Sequence, residues 1–591
     1  MAAAKERLLT ALRWSLRACA PIALLSLLVE FGWPLKSWVV SGLHGIDLVI
    51  MAVFVGDVLL RTATASDRRA HIRRHWLELL LIALLAVHAV GFAIFASGML
   101  IRLYVVGVQI YLVASLLLKG IAAQEELTHR ALRPNVLLLG SFLLLIVAGT
   151  LLLMLPLAHG TTPQGGRVTW RWVDALFTAT SAACVTGLAV KDTGGDLSFR
   201  GQAVLLGLIQ VGGLGLVTLT MLVSFLRHRS FQLRQMTLVR DVMNVNAIGG
   251  LGRLLAVAAL STVLVELIGA VLLFHARSDI PHLGDRAWWS LFHSVSAFCN
   301  AGFSTDATNL EPYAARPGVL LPLAGLIIVG GLGFPVVVDL LRFELRTLPF
   351  IRRFRWKLAA RDTAAPSRLS LHTKLVLVTN GVLIVVGMLL FFAAESQAPT
   401  LRGMPRDGQM VNSFFQSVTT RTAGFNSVSM GALQLPTILL FLVLMAIGAS
   451  PVSTGGGIKT STAAVMLLTV RSMIRGRDHV EAFHRTIPRR FVNGAVAVIA
   501  FYVCSVLGIT TILVLVQPSL PFMSVLFESV SAVSTVGLST GITPGLNDAA
   551  KVTLCLAMFI GRVGPLAILW SVMAQAPALR YEYPEEAVIV S

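Results

Sequence analysis

LFTATSAACVTGL at Leu176–Leu188 decides the fold, because the chain writes nearly the same phrase three more times: LFHSVSAFCNAGF at Leu291–Phe303, FFQSVTTRTAGF at Phe414–Phe425 and LFESVSAVSTVGL at Leu526–Leu538. Each copy opens on a helix-like apolar pair, runs through Ser, Thr and Ala, and closes on Gly followed by Leu or Phe. Each also lies between two long apolar stretches. A repeated unit at fixed spacing governs the architecture of the whole chain. Four re-entrant hairpins in one chain can surround a single axis, where backbone carbonyls replace the water shell of a cation.

Composition places these hairpins in a membrane. Of 591 residues, 56% are hydrophobic and 13% charged, which excludes a soluble enzyme. The formal charge of +19 would suit nucleic acid, but the basic residues gather in loops between apolar spans, the pattern of cytoplasmic loops. No nucleic-acid partner is expected. The five cysteines (Cys19, Cys184, Cys299, Cys504, Cys555) form no CxxC pair and imply neither a disulfide framework nor a structural metal. The basic N-terminus leads into an apolar run, Ala18–Val29, and the Glu30-Phe31-Gly32-Trp33-Pro34 that follows makes a poor cleavage site, so a retained first span is expected.

A helix needs about 20 apolar residues to cross a bilayer. Residues 1–133 offer four such spans, near 18–33, 44–60, 77–96 and 99–118. Asp47, Asp57, Arg61 and the basic Arg68–Arg74 segment faintly resemble a voltage-sensor bundle, but the fourth span carries only Arg102 and lacks an arginine ladder. From residue 134 the pattern becomes span, short amphipathic segment ending in Gly, span. The spans pair as 134–157 with 200–226, 251–275 with 318–343, 371–394 with 434–470, and 490–516 with 550–573. Four pore repeats follow, at 134–230, 231–345, 346–475 and 476–591.

The joints between repeats are strongly basic: Arg227–Arg240, Arg342–Lys357 and Arg471–Arg490. With four leading spans, every joint and both termini fall on the cytoplasmic side, and the hairpins dip in from outside. The expected architecture is an all-α integral membrane protein with four helix–pore-loop–helix repeats in pseudo-fourfold arrangement around one ion pore.

Two further stretches carry a family resemblance. SVTTRTAGFNS at Ser417–Ser427 resembles the third-repeat filter of the Trk/Ktr/HKT superfamily of potassium transporters, and GASPVSTGGGIKTST at Gly448–Thr462 resembles its interrupted third-repeat second helix. Gly330–Pro335 and Gly561–Pro565 match the corresponding helices of repeats two and four. The resemblance covers about 134–575. It implies a single-chain pore, usually in a homodimer with one pore per subunit, and for bacterial members a cytosolic ring of nucleotide-binding regulatory subunits. It also implies the bacterial inner membrane as the location, and no cofactor in this chain; nucleotide would act only through the partner ring. Gly424 follows its aromatic pair one residue sooner than the other filter glycines do, a departure that fits the family and makes the pore imperfectly fourfold.

The expected filter consists of Val185, Thr186 and Gly187; Asn300, Ala301 and Gly302; Thr422, Ala423 and Gly424; and Thr535, Val536 and Gly537, whose carbonyls coordinate the ion. One such Gly would read as a tight turn, but four at equivalent places point to a filter. In the plant branch of the family, Ser at the first filter glycine goes with sodium preference; all four are Gly here, so K⁺ is expected. Only the Gly of the stricter TVGYG filter is common to all copies, so modest selectivity over Na⁺ is expected. The third position of each pore helix varies: Thr178, His293, Gln416, Glu528. Glu528 and Arg421 either brace each other or find separate contacts, and His293 reads as pore-helix scaffold rather than as a metal ligand.

The expected gate is Ala449, Ser450, Pro451, Ser453, Thr454, Gly455, Gly456 and Gly457, non-helical backbone at membrane depth, which is tolerated where it lines a cavity or is buried in protein. Gly455–Thr460 superficially suggests a nucleotide P-loop, but it lacks the Gly before Lys and any preceding strand. Lys459 suits either a loop anchor or a pore-lining charge. The resemblance places Arg562 beneath the filter against the gate loop, and a charge in mid-span is costly enough to indicate function.

The functional expectation is potassium uptake through a gated filter, channel-like and driven by membrane potential. The rival is an H⁺- or Na⁺-coupled symporter, for which acidic residues in the core spans are few (Glu266, Asp339). A polytopic membrane enzyme is a distant third, since no HExxH or repeated acidic pair is present. The basic joints suit docking of a cytosolic ring, or contact with membrane lipids.

Overall fold

The computed structural model describes residues 32–64, 134–161, 168–215, 251–347 and 369–564, with a few isolated positions before residue 84. In the leading region one helix is described, α1 (Ser37–Thr64), with Asp47 and Asp57 buried. Most of the span expected at 77–96 and of the Arg68–Arg74 segment, and all of the span at 99–118, Arg102 and the Arg227–Arg240 joint, lie outside the described residues.

The remaining helices fall into four sets. The first is α2 (Pro134–Leu153), α3 (Trp172–Ala183) and α4 (Phe199–Leu214). The second is α5 (Leu251–Ala276), α6 (Leu283–Phe298), α7 (Pro317–Leu332) and α8 (Phe334–Thr347). The third is α9 (Leu371–Glu395), α10 (Arg406–Thr419), α11 (Leu435–Ala446) and α12 (Thr460–Ile474). A two-stranded hairpin, β1 (Val480–Ala482) and β2 (Arg485–Ile487), precedes the fourth, α13 (Arg489–Val516), α14 (Phe522–Val533) and α15 (Asp548–Val563).

Helix boundaries follow local chemistry. Ser370 caps α9 by accepting from the Thr373 amide at 3.2 Å, and Asp339 on α8 accepts from the Ser370 amide at 3.1 Å. Asn547 caps α15, accepting from the Ala550 amide at 2.8 Å. The single span expected at 318–343 is two helices, bent by 101° between α7 and α8. Gly333 sits at the break with φ +86°, and Pro335, which has no amide to donate, stands second in the next helix.

Polarity is arranged as lipid requires. α1, α9 and α13 are long and apolar enough to cross a membrane, as is the bent α7–α8 pair taken as one span. Their outward side chains are exposed and aliphatic, as at Val382, Leu389 and Leu507. The four pore helices lie inside this layer and bury Thr178, His293, Gln416 and Glu528. The chain is a multi-pass, mostly helical membrane protein.

The sets engage one another in sequence: α4 packs on α6, α7 on α10, α11 on α14, and α15 returns to α3. In every set the helix that follows the pore helix therefore touches the pore helix of the next set, and the fourth set touches the first.

Candidate functional site: a ring of four glycine turns above a broken helix

Each pore helix ends two or three residues before a backbone reversal. Val185, Asn300, Thr422 and Thr535 all have positive φ (56°, 59°, 74° and 50°), as do Gly187, Gly302, Gly424 and Gly537 two residues later. Left-handed backbone at β-branched residues costs of order 1–3 kcal/mol each and persists only where its surroundings enforce it. Here the enforcement is visible. Ser181 carbonyl accepts from the Thr186 amide at 2.7 Å, and its Oγ accepts from the Gly187 amide at 3.0 Å. Ser531 repeats this with the Val536 and Gly537 amides at 2.8 and 3.1 Å. Ser296 and Thr419 instead donate their hydroxyls to the carbonyls of Phe303 and Phe425, at 2.8 and 2.7 Å.

The glycines meet in cyclic order. A Cβ added at Gly187 would overlap the Ala301 carbonyl oxygen; at Gly302, that of Ala423; at Gly424, that of Val536; and at Gly537, that of Thr186. The ring closes without a gap, and glycine is required for close approach as well as for φ. All twelve residues read from the sequence as the filter lie in these four segments.

Directly beneath lies the loop between α11 and α12. Gly455 packs against the Thr422 hydroxyl and Gly456 against that of Thr535. The Ser450 amide donates to Gly331 carbonyl at 3.0 Å, and its Oγ accepts from Asn380 and Thr460 at 3.1 and 3.0 Å. Pro451 carbonyl approaches Gly333, and Val452 carbonyl accepts from the Phe334 amide at 3.1 Å. Thr454 Oγ1 donates to Phe298 carbonyl at 3.2 Å. Ala449 carbonyl accepts from the Thr460 amide at 3.2 Å, and Gly457 turns the chain back with φ +68°. Ser453 Oγ is buried without a partner. Lys459 Nζ donates to Gly455 carbonyl at 2.7 Å, within the loop itself. Arg562 on α15 donates to the carbonyls of Thr454 and Gly212, and to Gly213 at 3.3 Å, so one guanidinium joins three of the four sets.

Residues 108–581 match the family model of TrkH, a cation transport protein. The chain belongs to that family. The Ktr system potassium uptake protein B of Bacillus subtilis is 39% identical over 459 residues, 77% of this chain and 96% of the relative. The protein of the same name from Vibrio alginolyticus is 36% identical over 77% of this chain and 94% of its own. The potassium/sodium uptake protein NtpJ of Enterococcus hirae is 33% identical over 79% and 99%. The crystal structure of the potassium transporter TrkH from Vibrio parahaemolyticus shares the fold, with a TM-score of 0.57 at 16% identity, over 85% of this chain and 98% of that one. The family is one of transporters, not enzymes.

Within this TrkH-family chain, Arg421 and Glu528 do not pair. Arg421, two residues past the end of α10, faces the loop and donates to Asn380 Oδ1 and, at 3.4 Å, to Gly448 carbonyl. Glu528 faces away from the loop and accepts from Ser539 Oγ, eleven residues on. His293 and Gln416 make the same link, to Ser304 at 2.9 Å and Ser427 at 3.0 Å. The third-position side chains thus tie each of these helices to the segment that follows its glycine turn, and His293 is packed there, with Trp289 stacked on it at 3.9 Å. Sequence reasoning missed Ser181, Ser296, Thr419 and Ser531. The signal was present: a hydroxyl residue stands five positions after the start of every copy.

Proposed function

We propose that this chain is the pore-forming subunit of a potassium uptake system in the plasma (bacterial inner) membrane, conducting K⁺ down its electrochemical gradient through one pseudo-fourfold filter. The closed cycle of four glycine-to-carbonyl approaches carries the reading. Carbonyls gathered from 185–187, 300–302, 422–424 and 535–537 would replace the ion's hydration shell, and the C-terminal ends of α3, α6, α10 and α14 would add partial negative charge. The names of the Bacillus and Vibrio relatives support K⁺, and that of the Enterococcus relative fits modest discrimination against Na⁺.

Residues 449–457 act as the gate. Their hydrogen bonds to α7, α9 and α15 hold a blocking conformation, and opening requires those bonds to be exchanged. Arg562 is the chief pin, and its charge also discourages a cation from resting beneath the filter. Arg421 sets the loop's starting point through Gly448. The termini and basic joints face the cytoplasm, two copies associate as a homodimer, and a nucleotide-binding ring docks on the joints.

Rb⁺ uptake into proteoliposomes under a valinomycin-imposed potential tests this reading. Uptake that follows the potential, needs no proton or sodium gradient and persists in excess Na⁺ is expected. Uptake that requires such a gradient would favour a coupled symporter on the same scaffold.

A further inference from the structure

The segment that leaves the loop ends in a cavity of its own. α12 begins directly after Lys459, and carries Arg471 in its last turn and Arg475 at its C-cap. β1 and β2 fold back on α12, and Ser472 Oγ fixes the turn by donating to the carbonyls of Arg477 and His479, at 3.3 and 2.8 Å. Between this hairpin, α12 and the first turns of α9 lies a cavity of about 650 Å³, within the size range of small-molecule sites.

Its lining is mixed in chemistry. Leu375, Leu467 and Phe483 give it an apolar wall, and Arg471, Arg475 and Arg477 line it beside them, with Glu481 the one carboxylate among the lining residues. Glu481 is paired with Arg477 at 3.2 Å. Arg471 and Arg475 have no acidic partner among the described residues. The apolar wall continues onto the outer surfaces of α9 and α12, where Val378 is 53% exposed, Leu467 67% and Ile474 81%. Such a surface suits contact with hydrocarbon.

We infer that this cavity binds an anionic phospholipid, with its phosphate on Arg471 and Arg475 and its acyl chains along α9 and α12. Planar guanidinium groups match phosphate oxygens in charge and geometry. Basic pockets between membrane helices at the cytoplasmic end suit anionic headgroups. A soluble phosphate or nucleotide would satisfy the arginines but leave the apolar wall uncovered. The cytoplasmic placement rests on the topology proposed above; the juxtaposition of arginines and apolar wall does not.

Native mass spectrometry of the purified full chain, titrated with phosphatidylglycerol or phosphatidylcholine, tests the site. The unaltered chain is expected to retain phosphatidylglycerol about tenfold or more in preference to phosphatidylcholine, given two free arginines. R471Q/R475Q should lose that preference at an unchanged melting temperature, and R402Q, beyond the opposite end of α9, should keep it. Equal retention by the unaltered chain and the double variant would overturn the proposal. So would displacement of the lipid by an equal concentration of glycerol phosphate, which would mark a site for soluble anions. Retention is read without transport, so failure of the uptake reading and failure of this site are separate results.

Discussion

Lys551 on α15 donates to Asp174 on α3 at 2.7 Å, and both side chains are buried. The fourth set of helices is thereby fastened to the first, 377 residues earlier in the chain. Arg171 and Asp548 form a second, more exposed ion pair across the same seam. The other seams lie between sets that are consecutive in sequence; this one must bring together distant segments, and among the described residues it is the one clasped by a buried charge pair.

Removing one partner of that pair strands the other charge in a buried site, at a cost of about 3–5 kcal/mol. K551M and D174L are each expected to lower the melting temperature of the purified protein sharply. The double variant should recover most of the loss. Equal losses that simply add would show that the pair does not clasp the seam.

Gly424→Ala should abolish uptake while the protein remains folded. The added methyl meets the Val536 carbonyl oxygen, and the φ of +78° strains any side chain by about 1–3 kcal/mol. Gly381, a helix glycine with nothing within 4 Å of an added Cβ, provides the control. Gly381→Ala should transport normally, and size-exclusion profiles of both variants should match the unaltered chain.

Arg562→Gln removes the charge that holds Thr454, Gly212 and Gly213 together. A carbonyl losing a charged donor in a buried place costs roughly 1–3 kcal/mol, which falls on the closed loop. Basal Rb⁺ uptake is therefore expected to rise several-fold at the same protein density. Uptake that falls or stays constant would assign Arg562 a purely structural place.

The loop after α5 carries a pH-dependent contact outside the spans. Partial burial works to raise the Asp279 pKa, but hydrogen bonds from Arg277 and Arg316 outweigh it and hold the carboxyl below its ordinary value of 3.8. A lowered pKa means stability that is fully present above that value and lost as pH falls through the folded one. Melting curves of D279N and the unaltered chain should differ by a constant amount near neutrality and converge below pH 3.8.

Much of the site was legible because it is written four times. A single copy such as LFTATSAACVTGL reads as a short helix and a turn, whereas four copies define aligned columns. The column of glycines announces the four turns that meet in a ring, and Pro451 with Gly455–Gly457 announces broken backbone. What escaped depends on contacts across the ring. Nothing in Val185 or Thr535 advertises a left-handed backbone, since their neighbours in space impose it. Asn380, the partner of Arg421, lies 41 residues away on another helix. The break at Gly333 was hidden inside a continuous apolar run, because hydropathy records burial in lipid and not direction. The hairpin at Val480–Ile487 is built on Phe483 and His484, both at positive φ, rather than on the Asn and Gly that normally signal such a turn.

Crystals grown in Rb⁺ and measured at its absorption edge test the central claim most directly. Anomalous density on the axis enclosed by residues 185–187, 300–302, 422–424 and 535–537 is the predicted result. Rb⁺ bound only elsewhere, with those carbonyls turned from the axis or filled by side chains, would contradict it.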